Sequence, residues 1–132
     1  MLFAHWMVLL ASLLPMLSAA VGKSVIAKTA GGYDNRQPRA QFDAAAENSV
    51  IKRLGWAQDN SWEALMMFAP AILLATHFGV DSSTLNALAG VFIIARLAYV
   101  WCYAKNLATA RSLVWAVGLI CVVWLYIASA LA

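Results

Sequence analysis

Four apolar runs, each near the length needed to cross a bilayer, take up most of this chain. A helix rises about 1.5 Å per residue and a hydrocarbon core is about 30 Å thick, so roughly 20 apolar residues make one crossing. Leu2 to about Val21, about Trp56 to Phe78, Leu85 to Ala104 and Leu113 to Ala132 meet that length. Open sheet edges and irregular backbone leave polar groups unsatisfied against lipid, so the architecture open to such a chain is helix packed on helix. The fold class is an all-α membrane protein, a four-transmembrane-helix bundle in a single domain over residues 1–132. Helices are expected over about 2–27, 43–78, 84–105 and 109–131, with a polar loop over about 28–42.

Composition removes the main competitors. Hydrophobic residues make up 64% of the 132 and charged residues only 11%, and the mean hydropathy is +0.76, which excludes an ordinary soluble domain. A net charge of +3 and a pI near 9.1 raise nucleic acid as a partner, but the basic residues form no stripe, and no nucleic-acid binding is expected. Cys102 and Cys121 lie inside apolar runs with no CxxC and no His at ligand spacing; they read as core residues, and no metal site is expected. The first run lacks a Lys or Arg ahead of its apolar core and outlasts a signal peptide's apolar stretch, so it is read as a retained helix.

The polar segment Lys23 to Arg53 holds Gly31-Gly32 and the string Tyr33-Asp34-Asn35-Arg36-Gln37-Pro38-Arg39, a turn-rich loop from which a new helix should start near Pro38 or Asp43. Lys23, Lys28, Arg36, Arg39, Lys52, Arg53, Lys105 and Arg111 all flank this loop or the one after the third run, while the short loop Gly79 to Thr84 has no base. Basic loops stay on the cytoplasmic side, so loops one and three are expected there, with both termini opposite. His5 and His77 then fall near the far interface.

Ionisable groups within apolar runs are expensive and mark functional sites. In the second run Trp56, Asn60 and Glu63 share a helix face at i, i+4 and i+7, with Arg53 one turn earlier and Gln58 and Asp59 beside it. In the third, Arg96, Tyr99 and Tyr103 form one stripe, and Arg111 and Ser112 open the fourth run at the level of Tyr103. Two readings follow. The groups line a polar pocket for a small zwitterionic ligand, or Glu63 and Arg96 neutralise each other while Asn60 ties helices together and the aromatics form an interfacial belt.

The string Ala57-Gln58-Asp59-Asn60-Ser61-Trp62-Glu63, the later Ala95-Arg96-Leu97-Ala98-Tyr99-Val100-Trp101-Cys102-Tyr103-Ala104, and Arg111-Ser112 together resemble the MAPEG family, membrane-associated proteins of eicosanoid and glutathione metabolism. The resemblance covers about residues 33 to 128, and the loop phrase Tyr33 to Arg39 is closest to a bacterial branch. It implies a homotrimer of four-helix protomers in a bacterial inner membrane, with glutathione as co-substrate held between subunits on the cytoplasmic side. By the same resemblance Asn60 and Glu63 contact the peptide with Arg96, Tyr99 and Tyr103, while Arg111, with Ser112 beside it, stabilises the thiolate; Arg53, one turn before Trp56, is the candidate to substitute for a family arginine absent there. The implied function is a glutathione transferase or peroxidase acting on hydrophobic electrophiles from the lipid. The chain departs from the characterised enzymes in carrying Trp56 where they have an arginine, and Asp59 adds a negative charge nearby. That departure keeps a second function open, a non-catalytic scaffold or accessory subunit of a larger membrane complex.

Overall fold

The computed structural model describes residues 1–132 as helices and loops with no strand: α1 Phe3–Ala27, α2 Ala40–Asp43, α3 Val50–His77, α4 Ser82–Ala104 and α5 Ala108–Leu131. Three of these, α1, α4 and α5, are long and apolar enough to cross a membrane. The fourth expected span is α3, a helix of 28 residues, about 42 Å long. It falls short of that apolar character because Lys52, Arg53, Gln58, Asp59, Asn60 and Glu63 crowd its first half.

Boundaries follow local chemistry. The helix expected from about residue 43 begins instead at Val50, where the Ser49 hydroxyl accepts from the Lys52 backbone N–H as an N-cap. Ahead of it the single turn α2 places Phe42 against α1. A Cβ on Gly22 would collide with the Phe42 ring, so the missing side chain is what admits that ring between α1 and α3. The far end of α4 closes as a Schellman motif: Leu107 N–H donates to Cys102 and Asn106 N–H to Tyr103, with Asn106 at φ 58°, a conformation asparagine tolerates.

At the N-terminus of α4 the Asp81 carboxylate accepts from the backbone N–H groups of Ser83 and Thr84 and from the Ser83 hydroxyl at 2.8 Å. The Ser83 side chain, then the Thr84 backbone, hold its pKa below the ordinary carboxylate value. A depressed folded pKa stabilises the fold above the unfolded value, about 3.9, and the benefit disappears as pH falls through the folded one. Asp81→Asn, which keeps a capping oxygen without the charge, should therefore sit at a constant deficit in melting temperature near neutral pH. That deficit should shrink only below about pH 4, in a pH series of thermal melts.

Packing relies on small residues at seven-residue spacing, which lets backbones approach where no hydrophobic force drives helices together in lipid. Ala4, Ala11 and Ser18 of α1 are buried, as are Ala57, Ala64 and Ala71 of α3, and α1 packs mainly on α3. Phe68 of α3 stacks on Phe92 of α4 at 3.9 Å between centroids, and α5 packs mainly on α4. Apolar side chains also cover the outside: Leu113, Val117, Ile120, Trp124 and Ile127 form an exposed stripe along α5. Such a surface is stable against acyl chains and not against water.

The two ends of the bundle are tied differently. At one, His5 Nε2 meets Thr76 Oγ1 at 3.1 Å and Asn86 Oδ1 accepts from the Ala4 N–H. At the other, Arg53 of α3 donates to the Tyr103 and Ala104 carbonyls at 2.7 and 3.1 Å and to the Asn48 carbonyl. Loops one and three, with their basic residues, therefore share one end.

Candidate functional site

Helical periodicity puts the polar residues of α3 and α4 on facing flanks at the basic end. Asn60 and Glu63, three residues apart on α3, bond to each other, the Asn60 amide N–H donating to Glu63 Oε2 at 2.9 Å. The amide's other atom, Oδ1, accepts from Arg96 Nη2 of α4, also at 2.9 Å. Asparagine is the one side chain of the three that can both donate and accept, so it relays between carboxylate and guanidinium. Glu63 and Arg96 form no direct ion pair; the chain's single one joins Lys52 to Glu47, outside this cluster.

Arg96 is 3% exposed. Its guanidinium lies over the Tyr99 ring at 4.1 Å from the centroid, an arrangement in which the ring face partly replaces lost water. One turn on, Tyr99 meets Tyr103 edge to face at 5.1 Å, and Arg111 of α5 lies over the Tyr103 ring at 4.5 Å. The result is a continuous series from Glu63 through Asn60, Arg96, Tyr99 and Tyr103 to Arg111. Three helices contribute a carboxylate, an amide, two phenols and two guanidinium groups.

The remaining two expected site residues lie apart from this series. Arg53 spends its guanidinium on carbonyls at the end of α4 and on Asn48, which makes it a helix cap and a strut between α3 and α4. Replacing it with Met should cost about 2–3 kcal/mol of stability and speed amide exchange over residues 103–106. Ser112 is exposed and its hydroxyl turns back to the Ala108 carbonyl of its own helix at 3.2 Å.

The other flank of α3 holds a feature the sequence did not single out. A groove of about 500 Å³ is lined by Lys23, Arg39, Asp43, Gln58, Asp59 and Trp62, among others. Asp59, which lines the groove, and Glu63, at the end of the Arg96 series, are both exposed. The Phe42 contact and the hydrogen bond from Lys52 Nζ to the Asp43 carbonyl at 2.7 Å bring Arg39 within reach of α3, and no local sequence signal announces that packing.

No curated protein and no solved structure matches the chain at a significant level. A family model does, over residues 3–131, and the chain belongs to the MAPEG family.

Proposed function

We propose that this MAPEG-family membrane protein is a glutathione-dependent transferase or peroxidase acting on hydrophobic electrophiles. Glutathione is held between the subunits of a homotrimer at the cytoplasmic end. The observation that carries the reading is the unneutralised series: Glu63 and Arg96 are bridged by Asn60 rather than paired, and Arg111 has an aromatic face and no carboxylate. A buried guanidinium and an exposed carboxylate that do not cancel each other leave capacity for a ligand bearing both signs. Glutathione is such a ligand, with two carboxylates, an ammonium and a thiol.

In this arrangement Arg96 and the Tyr103 phenol face the peptide carboxylates, Glu63 accepts from the ammonium, and the Arg111 guanidinium sits by the thiol. A cation beside the sulfur favours the anion, which is the nucleophile, and so raises the reactive fraction at neutral pH. Attack on an electrophilic carbon forms the thioether and expels the leaving group. Attack on a hydroperoxide oxygen forms a sulfenic acid and an alcohol, and a second thiol then completes the disulfide and releases water.

The same charges support a trimer and a fourth crossing by α3. Asp59 and Glu63, exposed on one protomer, cannot face acyl chains at low cost. A cyclic assembly needs two different, complementary patches on each subunit. The protomer has them: the Arg96 series on one flank of α3 and the groove with Lys23, Arg39 and Asp59 on the other. With loops one and three basic, the site end is the cytoplasmic one of a bacterial inner membrane.

One observation favours a second reading. Arg53 is occupied in capping α4 and Trp56 stands where the characterised relatives have arginine, so the peptide has fewer cationic partners. A scaffold or accessory subunit of a larger membrane complex would use the same polar series for packing. Titration of the purified protein with glutathione separates the two, with thiolate absorbance and conjugation of a chlorinated nitroaromatic as readouts. Saturation with turnover supports the enzyme; an intact oligomer with neither signal at millimolar glutathione sinks it.

A further inference from the structure

The first backbone N–H groups of a helix have no partner within it, and at the start of α1 the side chains of other residues supply them. Leu2 N–H donates to His5 Nδ1 at 2.9 Å, and Ala4 N–H to Asn86 Oδ1 of α4 at 3.0 Å. His5 stands three residues after the N-cap, the position from which a glutamine or glutamate ordinarily reaches back to that N–H. A histidine there differs in one respect: gaining a proton removes its acceptor.

The hydrogen bonds fix the protonation state of the ring. A backbone N–H can only donate, so Nδ1 is bare, and the neutral ring carries its proton on Nε2. Thr76 Oγ1 lies 3.1 Å from Nε2 and gives its own proton to the Ile72 carbonyl at 2.8 Å, so it accepts from Nε2–H. One neutral imidazole thereby caps α1 and fastens it to the last turn of α3. A second proton, on Nδ1, would set two donors against each other and add charge at the positive end of the α1 dipole. The other ionisable groups at this end are the Met1 amine, His77 next to Thr76 on α3, and Asp81 ahead of α4. His77 meets Phe78 edge to face at 5.0 Å and Asp81 accepts from Ser83 and Thr84; neither is a hydrogen-bond partner of His5.

We propose that His5 is an acid-released clasp at the end of the bundle opposite the Arg96 series: neutral, it holds the start of α1 on α3, and protonated, it loosens that turn. Phe3, whose ring rests against Gly90 of α4, loosens with it, and the Asn86 bond alone remains. Arg53 keeps its charge at every physiological pH, so the other end stays tied. With loops one and three cytoplasmic, the clasp faces the opposite compartment and responds to acid there. It is independent of what the polar series binds.

Amide hydrogen exchange on the full-length protein in detergent tests the clasp, read as protection factors so that the intrinsic effect of pH on exchange cancels. Protection at residues 4–6 should fall about tenfold between pH 8 and pH 5, the worth of roughly one hydrogen bond, while residues 103–106 keep theirs. His5→Gln retains an acceptor at the capping position and cannot titrate, so it should stay protected at both pH values. His5→Ala should show the low protection at both, and His77→Gln should leave the fall in place. Nitrogen chemical shifts of the His5 ring at pH 8 should show the proton on Nε2. A fall that persists in His5→Gln, one that vanishes in His77→Gln, no fall at all, or a ring protonated on Nδ1 alone would each overturn the clasp.

Discussion

Alanine at position 111 should lower kcat for conjugation by about 100-fold or more, the usual loss when one preorganised donor to a reacting anion is removed. The oligomer should survive intact, because the Arg111 side chain forms no ion pair and lies over the face of Tyr103 at 4.5 Å. The pH profile carries the mechanism. On the transferase reading, the guanidinium should make the bound thiol ionise below its free value, about 8.5, and the wild-type rate should already be high at neutral pH. Without it the rising limb moves up toward that free value, and the gap between the two proteins narrows as pH increases. A rate loss of the same size at every pH would assign Arg111 to orientation of the peptide instead. Arg111→Lys should recover part of the rate, since it restores the charge but not the planar fork.

The helices and the facing flanks were legible because period alone decides them. Apolar runs gave α1, α4 and α5, and spacings of three, four and seven placed Asn60 with Glu63 and Arg96 with Tyr99 and Tyr103. The partners within the cluster were not legible. Charge complementarity suggested a direct Glu63–Arg96 contact, whereas a bifunctional amide stands between them, a choice made by rotamer and interhelix distance. Arg53 shares a spacing with Asn60, yet it lies nearer the helix end and finds the open carbonyls of α4, which no pattern within α3 could reveal. The start of α3 was misplaced by weighting Pro38 and Asp43 over Ser49, although a serine just before an apolar run is itself an N-cap signal. The docking of Phe42 at Gly22 depends on residues twenty apart in sequence and on the absence of one methyl group, so it left no local trace.

Arg96→Met should have the largest effect on the fold and should remove ligand binding with it. Methionine fills most of the same volume with no donor, so the variant isolates the loss of charge and hydrogen bonds from the loss of packing. Asn60 Oδ1 then has no partner, the relay to Glu63 loses its far end, and Tyr99 loses the cation over its ring. Losing a charge-assisted hydrogen bond and the cation over the Tyr99 ring should cost about 2–4 kcal/mol. The loss should appear as a lower midpoint in detergent-induced unfolding and as faster exchange in the middle of α4. Arg96→Lys is the informative companion, because a lysine supplies the charge as a single point without the planar fork that bonds Asn60 and stacks on Tyr99. It should recover more stability than ligand affinity. Equal recovery of both would mean that only the charge of Arg96 matters, and that the planar fork bonding Asn60 and stacking on Tyr99 does not.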